Sequence, residues 1–245
     1  MHVLVTRPKS DAAELQARLE ALGHEVSVEP LLEIEPLNID PAVFSAAQAV
    51  VATSRNALRA LAASKAFDPA RTLPLFAIGE ATAEMARELG FFQVIAGPGT
   101  GRGLVPVIAA AAKSGNGPLV HVAGETLAFD LAGALAEHGY ETRLVTAYRA
   151  VPTAQFSAGA EEAISAGMID TVILMSPRTA AIFAQLAGTT KLKEKARRLT
   201  FLCLSAGVAE KLSLLHPLRV VVAAKPNTEA MLETLAGMAP SSSGV

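Results

Sequence analysis

Cysteine is nearly absent. The chain has one, Cys203, in 245 residues. That excludes an internal disulfide framework and suits a reducing cytosol. Cys203 stands in an apolar strand pattern, where a buried, inert thiol is the ordinary outcome. Long hydrophobic runs are missing too. Apolar residues make up 51% of the chain and the mean hydropathy is +0.37, yet no stretch approaches the roughly 18 residues of a membrane span. The excess is mostly alanine, a helix former. The first residues enter a strand pattern directly, without a basic region and apolar signal core. Charge of one sign is also lacking. With 21 Lys and Arg against 23 Asp and Glu the net charge is −2, which argues against a general nucleic-acid or anionic-membrane surface. A polyanionic ligand would need local positive potential. There is no His-Glu-x-x-His, no paired Cys-x-x-Cys and no Asp/Glu/His cluster at ligand spacing, so a metal site is not expected. No Gly-x-Ser-x-Gly elbow appears.

What the chain does have is a repeated grammar. Val50-Val51-Ala52-Thr53-Ser54-Arg55-Asn56-Ala57-Leu58 reads as a buried strand, a polar turn and an amphipathic helix. Val172-Ile173-Leu174-Met175-Ser176-Pro177-Arg178-Thr179-Ala180 repeats it. The repeat extends through Ala77-Ile78-Gly79-Glu80 against Cys203-Leu204-Ser205-Ala206, and through Val94-Ile95-Ala96-Gly97 against Val221-Val222-Ala223-Ala224. The opening, Val3-Leu4-Val5-Thr6-Arg7, recurs as Leu119-Val120-His121-Val122-Ala123. The period is too long for a solenoid and fits a duplicated α/β domain.

Taken in order, residues 2–6 read as a strand. Ser10 or Asp11 is expected to cap the next helix, with Leu15, Leu19 and Leu22 on one face and Gly23 closing it. A strand at 26–29 leads to a proline-bounded extended segment at 30–36. Strands near 49–53, 74–78 and 92–96 each precede a helix. Residues 114–118 form a clear loop, and the strand at 118–122 restarts the opening pattern. A second extended segment at 145–152 mirrors the first, a second repeat unit fills 153–238, and 240–245 reads as a frayed tail. Strands alternating with helices of about ten residues imply right-handed βαβ units and parallel sheets. Two such lobes joined by two extended segments would leave a cleft, with hinge motion expected about 30–36 and 147–152.

Several residues stand where strands end, the edge at which open α/β sheets bind ligands. Arg7, Arg55, Arg102 and Arg178 share such positions, and Lys225 sits at another. Guanidinium forks suit carboxylate or phosphate. The Gly97-Pro98-Gly99-Thr100-Gly101-Arg102-Gly103 loop offers backbone N–H groups and a helix start to an anion, and reads equally as a tight turn. Its resemblance to a nucleotide motif is weak, because it lacks the Gly-Lys-Ser/Thr ending. Gly79 would let the backbone approach a ligand closely. Thr82, in the next helical turn, either bonds local backbone or faces the cleft. His24 and His138 stand at helix C-termini, where a cation is favourable. Tyr148 lies within the second extended segment and either packs or donates a proton.

The ordered set Val3-Leu4-Val5-Thr6-Arg7-Pro8, Thr53-Ser54-Arg55-Asn56-Ala57, Ala77-Ile78-Gly79-Glu80-Ala81-Thr82-Ala83, Ala147-Tyr148-Arg149 and Ser176-Pro177-Arg178-Thr179-Ala180 resembles the uroporphyrinogen-III synthase family across nearly the whole chain. The resemblance implies an α/β fold of two flavodoxin-like parallel-sheet lobes joined by a two-stranded linker. One lobe would be discontinuous, from 1–32 with 153–245, and the other would run from 37–147. Linkers would occupy 33–36 and 148–152. The single cysteine reads as cytoplasmic and the lack of a long exposed apolar seam as monomeric; the resemblance implies a lyase of heme and porphyrin biosynthesis that needs no cofactor and no metal. Its partner is the small-molecule substrate hydroxymethylbilane, with transient contact to the enzyme that supplies it, and neither nucleic acid nor membrane.

The implied reaction expels the terminal hydroxyl of the bilane as water and closes the macrocycle with ring D inverted. Positioning would select that closure over the spontaneous type I product. By the same resemblance Tyr148 matches a linker tyrosine able to act as general acid; a free phenol, with a pKa near 10, donates rather than accepts. Thr82 matches a second catalytic position. Arg7, Ser54, Arg55, Gly79, Gly97, Thr100, Arg102, Ser176, Arg178 and Lys225 are the expected substrate contacts. Two turns depart from the family pattern. Val208 replaces a threonine in Ser205-Ala206-Gly207-Val208, and Gly124-Glu125-Thr126-Leu127-Ala128-Phe129 lacks an arginine. The alternatives are a non-catalytic two-lobed protein that binds a polyanionic metabolite, and a nucleotide-dependent enzyme using the 97–103 loop.

Overall fold

The computed structural model describes residues 1–238; the tail read at 240–245 lies outside the described residues. The chain runs β1 (His2–Val5), α1 (Lys9–Ala21), β2 (Glu25–Val28), β3 (Leu32–Pro36), β4 (Ala49–Ala52), α2 (Arg55–Ala62), α3 (Phe67–Arg71), β5 (Leu75–Ala77), α4 (Glu80–Glu88), β6 (Val94–Ala96), α5 (Gly101–Ala111), β7 (Leu119–Gly124), α6 (Leu131–Ala136) and β8 (Thr142–Pro152). It continues through α7 (Ala158–Ala166), β9 (Thr171–Leu174), α8 (Pro177–Gly188), α9 (Lys193–Ala196), β10 (Thr200–Cys203), α10 (Ala206–Ala209), β11 (Arg219–Val222) and α11 (Thr228–Ala236). Two compact units result. One joins Met1–Glu33 to the chain from Val151 onward, and the other is Ile34–Ala150. No helix among the described residues is long and apolar enough to cross a membrane.

The first unit holds a sheet in the order β11-β10-β9-β1-β2, with its strands paired in parallel. Counted within the unit, that is strand order 2-1-3-4-5, the flavodoxin-like doubly wound arrangement. The strands are short apolar runs because both faces are covered. Side chains alternate between two cores. Leu4, Val172, Leu174, Phe201 and Cys203 enter one, whereas Val3, Val5, Ile173 and Leu202 enter the other. In the first core Phe183 meets Phe156 and Phe201 edge-on at 5.2 and 5.3 Å.

The second unit's sheet runs β3-β8-β7-β4-β5-β6. Leaving out β3 and starting the count at β7 again gives 2-1-3-4-5, so this unit is a circular permutation of the first. That is the structural meaning of an opening motif repeated at 119–123, behind rather than ahead of its partner strands. Val50 and Ala52 face one core; Ala49 and Val51 face the other.

Three local expectations differ from the structure. Helix α1 is capped by the backbone of Pro8 (φ −48°, ψ 140°), without a side-chain cap from Ser10 or Asp11. Asp11 instead pairs with Arg7 at 3.8 Å. Leu22 falls past the last turn and is 52% exposed, while Leu15 and Leu19 are buried as the spacing requires. His24 is partly withdrawn from water, and burial followed by the nearby N-terminal amine lowers its pKa. It is therefore a poor cation for the end of α1.

Candidate active site

In a doubly wound sheet the crevice lies outside the strand carboxyl ends, where strand order reverses. In the second unit this point falls between β4 and β7. Strand β4 ends at Ala52 and the chain turns through Thr53 and Ser54 into α2. Ser54 is extended (φ −158°, ψ 153°) and its Oγ accepts the Ala57 N–H at 3.0 Å, capping the helix. Beside it, β7 ends at Gly124 with a shift of register after Ala123, which sets Gly124 opposite Tyr148 on β8. The Glu125 N–H donates to the Tyr148 carbonyl at 2.9 Å. The phenol ring lies directly on the glycine, where a Cβ would stand 2.6 Å from Tyr148 Cζ and 2.9 Å from its hydroxyl oxygen. So placed, the Tyr148 hydroxyl is 3.2 Å from Ser54 Oγ.

Behind this pair, Thr53 Oγ1 is 3.0 Å from His121 Nε2. His121 sits on β7 and is 2% exposed. Burial disfavours the imidazolium and takes its pKa down to about 4, so the ring is neutral at neutral pH. Its Nδ1 is buried and has no partner among the described residues.

These groups surround a cavity of about 210 Å³ within the second unit. Thr53, Ser54, His121, Thr126 and Tyr148 supply its polar wall; Ile78, Leu127, Phe129 and Leu131 supply the apolar one. Among the described residues no Lys, Arg, Asp or Glu lines it. The volume is below the roughly 300 Å³ of a pocket that encloses a drug-sized ligand, so it fits one part of a larger molecule. Arg102 stands outside, its guanidinium carbon 5.9 Å from the Phe129 ring centroid. Among the described residues no group of His, Cys, Asp and Glu could hold a metal ion.

The sequence-named residues sit at strand carboxyl ends or on the helices that follow, divided between the units. Of those in the second unit, Ser54 and Tyr148 line the cavity and Thr82 does not. Thr82 is 5% exposed in the first turn of α4, and Arg55 begins α2. At the 97–103 turn the Gly97 N–H donates to the Ala77 carbonyl (2.8 Å) and the Gly99 N–H to the Ile78 carbonyl (2.7 Å). Thr100 accepts the Gly103 N–H at 3.2 Å, capping α5. These contacts give the turn a structural role in its own right. Gly79 has its bareness used by the same turn, since a Cβ there would lie 3.1 Å from Gly99 Cα.

In the first unit, Arg7 follows β1, with its guanidinium at Asp11 and at Met175 Sδ (3.7 Å). Ser176 caps α8 by accepting the Thr179 N–H at 3.1 Å. Arg178 and Lys225 are exposed, and Val208 is buried in the core. Sequence reasoning left out His121, Gly124 and Phe129. For Gly124 and Phe129 the early signal was the departure from family pattern at 124–129; His121 had none.

The doubly wound sheets, one with a neutral, hydroxyl-lined cavity at its switch point, define the class: an α/β protein with a pocket sized for part of a larger molecule. The chain belongs to the uroporphyrinogen-III synthase family: the family model described as uroporphyrinogen-III synthase HemD matches residues 13–233. Its function is therefore that of a lyase of heme biosynthesis, cyclising hydroxymethylbilane. The fold is similar to the crystal structure of uroporphyrinogen-III synthetase from Helicobacter pylori. That match has a TM-score of 0.65 and 17% identity, and covers 96% of this chain and 98% of that one. A crystal structure of a mutant uroporphyrinogen III synthase from the extremely thermophilic bacterium Thermus thermophilus matches with a TM-score of 0.53 and 20% identity, covering 96% and 97%. No curated protein matches significantly.

Proposed function

We propose that the Tyr148 pocket is where the terminal hydroxyl of hydroxymethylbilane departs. The supporting observation is the Tyr148–Ser54 pair at 3.2 Å in an uncharged cavity at the switch point. Ser54 Oγ accepts the Ala57 N–H and so has its own O–H to donate. Given to Tyr148, that O–H leaves the phenol proton free to face the substrate. The proton passes to the leaving hydroxyl, the C–O bond breaks and water departs, leaving an azafulvene. Ring D attacks through its substituted carbon to give a spiro intermediate. This fragments and recloses with ring D inverted, and the proton lost on rearomatisation balances the one donated. The pocket's share is positioning and acid catalysis.

The carboxylate arms, which need cations, belong outside this uncharged pocket, and Arg102 beside Phe129 is a candidate to receive one of them. Thr82 as a catalytic residue, and Arg7, Arg55, Gly79, Gly97, Thr100, Ser176, Arg178 and Lys225 as substrate contacts, remain part of this reading. So does the division into a discontinuous lobe and a continuous one. We place the enzyme in the cytoplasm, a location that suits its single buried cysteine, and read it as a monomer.

The test is an isomer assay. Hydroxymethylbilane is generated in situ, protein is added, and oxidised products are separated by chromatography. A shift from type I to type III uroporphyrin is the expected result. Pure type I product from folded protein overturns the reading.

A further inference from the structure

His121 lines the pocket, yet the steps above leave it unused. Its ring bonds Thr53 Oγ1 through Nε2 at 3.0 Å, and its Nδ1 is buried without a partner among the described residues. A neutral imidazole has one N–H and one bare nitrogen. Buried N–H groups without an acceptor are rarer than acceptors short of a donor. The bare nitrogen is therefore Nδ1, the proton sits on Nε2, and His121 donates to Thr53. The Thr53 hydroxyl then keeps its own O–H to give, and Thr53 lines the pocket. The opposite tautomer would spend that O–H on the ring and leave Thr53 only an acceptor.

We propose that His121 is a positioning residue that sets Thr53 as a hydrogen-bond donor into the Tyr148 pocket, where it holds the departing oxygen while Tyr148 protonates it. The proposal rests on the cyclase reading of this pocket. A donor fixed before the reaction stabilises charge developing on the leaving oxygen without reorganising. The ligand group is an uncharged hydroxyl, in keeping with a lining that holds no charged side chain among the described residues. Because burial keeps the ring neutral down to about pH 4, this polarity is constant through the neutral range.

Two measurements test it. Nitrogen-15 NMR of histidine-labelled protein reads the tautomer directly. His121 should carry its proton on Nε2, and that signal should move in Thr53→Val. A protonated Nδ1 overturns the proposal. In the isomer assay, His121→Leu and Thr53→Val should each lower the type III rate by about 10²-fold, the size of one lost preorganised donor. The double variant should fall no further than Thr53→Val alone, and His121→Gln, which keeps a side-chain N–H, should recover most of the His121→Leu loss. Losses that multiply, or a folded His121→Leu at the wild-type rate, overturn it. If His121→Leu does not fold, His121→Gln in the Thr53→Val background decides, since any further loss there overturns the proposal. Wild-type protein that forms only type I product removes the cyclase reading itself, whereas type III product with a protonated Nδ1 removes only the role of His121.

Discussion

Tyr148 owes its position to what its neighbours lack as much as to what they have. Gly124 gives its ring a surface to lie on, and Ser54 gives its hydroxyl a partner. Tyr148→Phe should lower the type III rate by about 10²- to 10⁴-fold, the usual range for a lost general acid, with the melting temperature little changed. Gly124→Ala places a methyl group 2.6 Å from the ring and should reproduce the rate loss while also destabilising by about 1–3 kcal/mol. Comparing rate and melting temperature in the two variants separates position from chemistry. His121 adds a pH dependence. Its folded pKa of about 4 lies below the usual 6.5, so between those values the unfolded chain binds more protons. Its contribution is complete above pH 6.5 and is lost as pH falls toward 4. The gap of roughly 2.5 units corresponds to about 3 kcal/mol. Urea unfolding at pH 7 and pH 4.5 should show that fall in the wild type and a smaller one in His121→Gln. Cys203, its pKa raised to about 12 by burial, should react with thiol reagents only after unfolding.

At the scale of elements, much of the design was legible, and the reasons are physical. Short apolar runs announced the strands because each is buried on both faces. The polar turns at Ser54 and Ser176 announced helix starts, and there the hydroxyl of an extended residue accepts an N–H three positions on. The same logic misled at α1. There Pro8 already holds the backbone extended, and Asp11 is drawn to Arg7. His121 was not legible. Within Leu119-Val120-His121-Val122-Ala123 it reads as a core position, and its partner Thr53 is 68 residues away, brought near only because β4 and β7 are neighbours. Tyr148 was legible as a candidate; its support by a register shift after Ala123 was not. The caps have measurable weight. Ser54→Ala should cost about 1 kcal/mol as a lost N-cap and should also weaken catalysis, whereas Ser157→Ala, at the start of α7 (N–H of Ala160 to Ser157 Oγ, 3.2 Å), should affect stability without touching the pocket. In the first unit's core, Phe183→Ala removes both edge-on contacts and should cost about 3–5 kcal/mol.

At the scale of the molecule, one unit is inserted into the other. The second unit is a single stretch, Ile34–Ala150, and holds all of its sheet except the outer ends of β3 and β8. The first has β1 paired with both β2 and β9, so its sheet closes only when distant segments meet. Residues 34–150 expressed alone should melt cooperatively, and residues 151–238 alone should not. A cooperative transition in the latter, followed by calorimetry, would contradict this account of the first unit.

The pairing of β1 with β9 bears on the order of events during synthesis. The His2 N–H ends 2.8 Å from the Asp170 carboxylate, 168 residues later. At about 5–20 residues per second, strand β1 leaves the ribosome on the order of ten to thirty seconds before its central neighbour exists. Through that interval Val3-Leu4-Val5 has no second flank and is a liability for nascent-chain association. The insert creates most of that delay, but it also eases the closure that ends it. Once Leu37 N–H has met the Ala147 carbonyl at 2.8 Å, the loop between β2 and β9 shrinks from roughly 140 residues to roughly 35, which lowers the entropic cost of closing the outer sheet by about 1 kcal/mol. The inner unit is thus also a tether, holding the two halves of the outer one nearer to each other than chain length alone would.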